Sequence, residues 1–176
     1  MKTMLLAGLL ASILAGPVAA ADGARLSSNT DFSAPGARDL PVTCKPDDEQ
    51  PFQGKTMAQV FGEAWPGGPA ATASHAPPEV LTSGRLVPPR GLEATSATVV
   101  VAVLVGADGK GIASEAVCAT SGAFVTAAKR VLRSASFRPA MVDGVAATGV
   151  VAVPIVFRAG RGRTGGDNGG NGGDQD

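Results

Sequence analysis

Few side chains in this sequence are of a type and spacing that could do chemistry. They are Cys44 and Cys118, His75, Ser121 at a strand-to-helix turn, and the run Gly106-Ala107-Asp108-Gly109-Lys110-Gly111. Two thiols and one imidazole cannot assemble the four-ligand Cys/His cluster of a structural zinc site. His75, between Ser74 and Ala76 in a Pro-rich stretch, reads as a solvated side chain. Ser121 has the position of a nucleophile elbow, but Ala119-Thr120-Ser121-Gly122-Ala123 lacks the Gly-x-Ser-x-Gly pattern, so it reads as a helix N-cap. The glycine run lacks the hydroxyl residue that follows Lys in a phosphate loop, since Gly111 stands there, and it reads as a hairpin turn. These residues predict no enzyme, no metal and no cofactor. The two cysteines predict one disulfide if the chain is exported to an oxidising compartment, tying the middle of the chain to the second strand of its domain. The alternative is a buried Cys118 and a free Cys44.

The composition limits the partners. Fifteen Lys+Arg against 15 Asp+Glu give a net charge of zero over 176 residues, so there is no chain-wide basic field to collect nucleic acid. The length suits one domain with extensions. Residues 1–21 have a basic start, an apolar run from Met4 to Leu14, the breaker Gly16-Pro17 and small residues through Ala20 and Ala21. That order predicts a signal peptide cleaved after Ala20 or Ala21 and a periplasmic protein. An uncleaved single-pass inner-membrane anchor is the alternative, because Met4 to Ala21 carries no charge and a spanning helix needs about 20 residues.

Ten of the 13 prolines fall between residues 22 and 90, and residues 22–76 read as a Pro-rich linker. Within it, Thr56-Met57-Ala58-Gln59 is a capping box. Met57, Val60, Phe61, Ala64 and Trp65 make one apolar stripe that Pro66-Gly67-Gly68 ends, which predicts a short helix near 57–65. Such a helix needs a packing surface, either this protein's own domain or a partner.

Residues 77–160 carry the domain pattern. Ala97 to Val105 is β-branched and apolar on both alternating faces, the mark of a central buried strand. Asp108-Gly109 turns the chain into a second strand, Ile112 to Ala119. A helix follows to Ala135, with Phe124, Ala127, Ala128, Val131, Leu132 and Ala135 on its apolar face and Lys129, Arg130 and Arg133 opposite. Residues 136–144 read as a loop ending in the turn Asp143-Gly144. The last strand, Ala147 to Phe157, sets Val151, Val153, Ile155 and Phe157 on one face, and Pro154 marks it as an edge. The fold class is α+β: a three-stranded antiparallel sheet with one helix on one face, in the order β-β-α-β. Residues 161–176 are a Gly-rich tail that composition marks as disordered.

The ordered set Asp108-Gly109-Lys110, Thr120-Ser121-Gly122, Phe137-Arg138-Pro139-Ala140, Asp143-Gly144 and Val153-Pro154-Ile155-Val156-Phe157 resembles the C-terminal domain of the TonB family of periplasmic energy transducers. The resemblance implies a non-catalytic module whose last strand, here Val150, Val151, Ala152, Val153, Pro154 and Ile155, takes an extended protein or peptide segment by strand addition, as from an outer-membrane transporter. Where the family has a Tyr-Pro pair, this chain has Leu86-Val87-Pro88-Pro89 and no Tyr anywhere. The first segment also lacks the His of the transducer anchors. A partnership with ExbB–ExbD is therefore expected only with an uncleaved anchor. A third reading is a structural envelope protein that forms a homodimer through the same edge.

Overall fold

The computed structural model describes residues 30–32, 34, 37–65, 67 and 74–160. The expected signal segment with Ala20 and Ala21, and the tail 161–176, lie outside the described residues. In chain order the elements are β1 (Thr30–Asp31), α1 (Met57–Phe61), β2 (His75–Ala76), β3 (Glu79–Thr82), β4 (Ala97–Val105), β5 (Gly111–Ala119), α2 (Val125–Arg133), β6 (Ser136–Arg138), β7 (Ala140–Val142), β8 (Val145–Ala147) and β9 (Gly149–Phe157). Single 3-10 turns, Gly62–Ala64 and Gly122–Phe124, follow α1 and precede α2.

The fold is α+β with antiparallel sheets. The main sheet has the order β1-β9-β4-β5, so β4 is central, as its two-faced apolar run requires. The expected three strands are joined by a fourth, the two-residue β1. Two smaller sheets, β2-β7-β8 and β3-β6, are built partly from the stretch read as a loop. Three-residue strands interrupted by Pro139 leave no period for a sequence to display. In the β4–β5 hairpin, Gly109 takes φ +76° and the Asp108 carboxylate accepts the Lys110 N–H at 3.1 Å. That N–H and the Lys110 charge hold the Asp108 carboxyl below the usual carboxylate range.

Alternation along the strands sends side chains to two cores. On one face, α2 lays Ala127, Ala128, Val131 and Leu132 against Val99, Val101, Val103, Val151, Val153, Ile155 and Phe157, and the Phe124 and Phe157 rings stand 4.9 Å apart. The opposite face buries Ala102, Leu104, Val117, Cys118, Val150 and Ala152 beneath Phe32, Val42 and Met57, with Phe52, Val60, Phe61 and Trp65 around them. The second cover comes from residues 37–65, the stretch read as linker, which lies along the sheet as a strap. It is held by its own main-chain bonds, Val42 N–H to the Lys55 carbonyl and Gly54 N–H to the Val42 carbonyl, each 2.9 Å. The capping box forms as expected: Gln59 N–H donates to Thr56 Oγ1 at 3.4 Å and Thr56 N–H to Gln59 Oε1 at 2.9 Å. Of the predicted stripe, Met57 is buried, Val60, Phe61 and Trp65 are half-buried, and Ala64 is exposed. The helix packs on this chain's own sheet.

Candidate peptide-binding edge

The six residues expected to form the binding edge all lie in β9, but they divide into two sets. β9 pairs with β4 without a register shift from Gly149↔Val105 to Phe157↔Ala97. In such a ladder, successive residues turn their main-chain N–H and C=O to opposite sides. Phe32 N–H donates to the Val150 carbonyl at 3.1 Å, which fixes Val150 as outward-facing. Ala152 and Pro154 therefore also face outward, whereas Val151, Val153 and Ile155 bond to β4. Pro154, half-buried opposite Val100, lacks its N–H on the outer side, where β4 has no use for it. That placement explains how a proline is tolerated in the longest ladder of the sheet.

The outer edge is partly taken. β1 pairs Thr30↔Ala152 and Asp31↔Val151, so the chain adds three of its own residues, Thr30 to Phe32, to this edge. Phe32 is 2% exposed and belongs to the second core. From Val153 to Phe157 no strand pairs with the outer side among the described residues, and Val156 is 47% exposed there. Sequence reading missed Thr30–Phe32, because two strand residues have no period and a lone aromatic in a polar stretch looks incidental.

The other edge, β5, is bracketed. Glu49 exchanges main-chain bonds with Ala119 at 2.7 and 3.0 Å, and Lys110 bridges to Ser136. The Cys44–Cys118 disulfide, bridging 74 positions, pins the strap to β5 as one of the two expected alternatives required. Lys129 lies 3.2 Å from Glu115, so it is paired on the β5 side.

Two sequence expectations are corrected. Ser121 does hold the N-cap position of the 3-10 turn Gly122–Phe124, but its side chain makes no capping bond, and Gly122 N–H donates instead to the Glu49 carboxylate at 2.6 Å. A carboxylate at a helix start satisfies a free donor and the dipole together, and Glu49 arrives there because the disulfide and the Ala119 bridge hold the strap at that point. Nothing near Ser121 in sequence could signal a cap supplied from 73 positions away. His75 is half-buried in β2, paired with Val142, and not a solvated linker residue, because β7 gives the Pro-rich stretch a partner strand.

Among the described residues no cluster of three or more His, Cys, Asp or Glu could hold a metal ion. Nor is any described helix long and apolar enough to cross a membrane. The family model described as Gram-negative bacterial TonB protein C-terminal matches residues 92–159, which span β4 to β9 and leave out the strap. No curated protein and no solved structure matches the chain. The family is one of non-enzymatic energy transducers. Residues 92–159 are a domain of the TonB C-terminal family.

Proposed function

We propose that this chain is an exported, non-catalytic binding module that takes an extended peptide on the outer edge of β9. The observation that carries the reading is the orientation of Val150 and Ala152, whose main-chain groups face away from β4 and already accept an extended segment of this chain. Main-chain pairing supplies part of the affinity whatever the sequence of the incoming segment. Removal of residues 1–21 by signal peptidase makes the module periplasmic and leaves it without a direct link to an inner-membrane motor.

Two experiments test this. In the isotopically labelled full chain, synthetic heptapeptides copied from periplasm-facing segments of outer-membrane transporters should shift the amides of residues 150–155. Ala152→Pro removes an outward N–H while keeping the β4 ladder, and it should abolish those shifts in a protein of unchanged circular dichroism. Shifts confined to Ile112–Val117 of β5, or a folded Ala152→Pro protein that binds like wild type, would sink the reading. The intact mass of protein purified from its native envelope decides the N-terminus: loss of about 20 residues supports the periplasmic module, and a chain starting at Met1 replaces it with an anchored transducer.

A further inference from the structure

We infer that Thr30-Asp31-Phe32 is a built-in occupant of the β9 edge, which an incoming segment must displace, and that the displacing segment carries an aromatic residue in the place of Phe32. The inference rests on the strand-addition reading and concerns how that edge is regulated and what it selects. A two-residue strand has too few main-chain bonds to hold itself on a sheet. What keeps β1 in place is the next residue, whose ring is buried in the core with Val42, Met57, Leu104 and Val150.

The same geometry limits any competitor. In the register Thr30↔Ala152, Asp31↔Val151, a strand extended further along β9 meets Pro154, which has no N–H to give. An added strand is therefore held to a short ladder around Val150–Ala152. With so few main-chain bonds available, a side-chain anchor must supply the remaining affinity and the selectivity. The position of Phe32 is the buried one, and an aromatic ring fills it.

The strap sets how strongly the occupant competes. Phe32 stands 12 residues before Cys44, which the disulfide fixes to β5. A tether of that length holds the segment at an effective concentration in the millimolar range, so a free peptide competes poorly while Phe32 is docked.

The test uses the full oxidised chain and, as probe, a synthetic heptapeptide of its own residues 28–34, Ser-Asn-Thr-Asp-Phe-Ser-Ala. Phe32→Ala empties the anchor position, and the variant should bind the probe at Val150–Ala152 at least tenfold more tightly than wild type. A probe with Phe replaced by Ala should bind neither protein. Equal affinity of wild type and Phe32→Ala at β9 overturns the occupant and leaves strand addition standing. Probe shifts that map to β5 overturn strand addition itself. Should Phe32→Ala fail to fold, amide exchange in the unaltered chain decides: Phe32 and Ala152 N–H should exchange together and at least tenfold faster than Val101 in β4. Exchange of all three at one common rate makes β1 a fixed part of the fold and ends the proposal.

Discussion

Removing the Cys44–Cys118 disulfide should cost about 4 kcal/mol, a large share of the 5–15 kcal/mol typical of a domain. The figure follows from the separation of 74 positions, since in the chain-entropy account the cross-link restricts the unfolded chain by an amount that grows with the logarithm of the loop. A native-state loss adds to it. Cys118 is 3% exposed, so Cys118→Ala leaves a void about the size of its sulfur, worth about 1 kcal/mol. Residual structure in the reduced unfolded chain acts the other way. The variant to make is Cys44→Ala/Cys118→Ala, with urea unfolding followed by two probes. Trp65, the sole tryptophan, is half-buried in the strap core and reports the strap, whereas far-ultraviolet circular dichroism reports the sheet and α2. In the oxidised wild type the two transitions should coincide. In the double variant Trp65 should be released at lower urea, because α1 has only five residues and holds to the sheet mainly through Met57. Coincident transitions with a loss under about 1 kcal/mol would refute the reasoning, since the strap would then be held by packing alone.

Further outcomes follow from other contacts. Glu49→Ala should cost about 1 kcal/mol and speed amide exchange at Gly122, whereas Glu49→Gln keeps the acceptor and should cost less than half as much; no change at Gly122 in the alanine variant would return the cap to Ser121. Gly109→Ala places a methyl group on the Phe137 carbonyl oxygen at a φ of +76°, whereas Gly144→Ala at φ +80° meets nothing. The second should lose about 1 kcal/mol for the left-handed backbone and the first clearly more, so equal losses in thermal melts would show that the hairpin yields to the contact. Because the Asp108 carboxyl is held below its ordinary range, its contribution is present above the ordinary carboxylate pKa and is lost as pH falls through the lowered one. Its carboxyl resonance in NMR should titrate below that of a free aspartate, and Asp108→Asn should abolish that part of the acid dependence; a titration at or above the ordinary value contradicts the bond to Lys110.

The residues that announced themselves are those whose partners lie nearby in sequence or whose pattern leaves one solution. The nine-residue run of β4 is buried on both faces and had to be central. Asp108-Gly109 and Asp143-Gly144 turn where their backbone freedom allows, and Thr56/Gln59 cap because both atoms needed are within one turn. The apolar face of β4 opposite α2 also needed a cover, and the Pro-rich stretch supplies it with Phe32, Val42, Phe52, Met57, Val60, Phe61 and Trp65 among others. What sequence could not show is how that stretch would lie. Its course is set by one disulfide, one bridge at Ala119 and a few scattered side chains, none of which has a period. The binding edge was legible as a strand with Pro154 in it, but the orientation of Val150, Ala152 and Pro154 required the register with β4.

The disulfide and the edge are joined by a tether, so perturbing one should be felt at the other. With the bridge intact, Phe32 is 12 residues from a fixed point at Cys44; without it, once the strap lifts, the next fixed point is Ser74, 42 residues away and bonded to Asp143 at 2.8 Å. Effective concentration falls roughly as the −3/2 power of tether length, so the occupant should compete about sixfold less well. Lifting the strap also takes Val42 and Met57 away from Phe32, so the Ala152 N–H beneath the occupant should exchange at least sixfold faster in Cys44→Ala/Cys118→Ala than in wild type, under conditions in which Trp65 fluorescence shows the strap released. An unchanged exchange rate at Ala152 under those conditions would mean that Phe32 holds its place without help from the strap, and that the oxidising compartment stabilises this domain without tuning its edge.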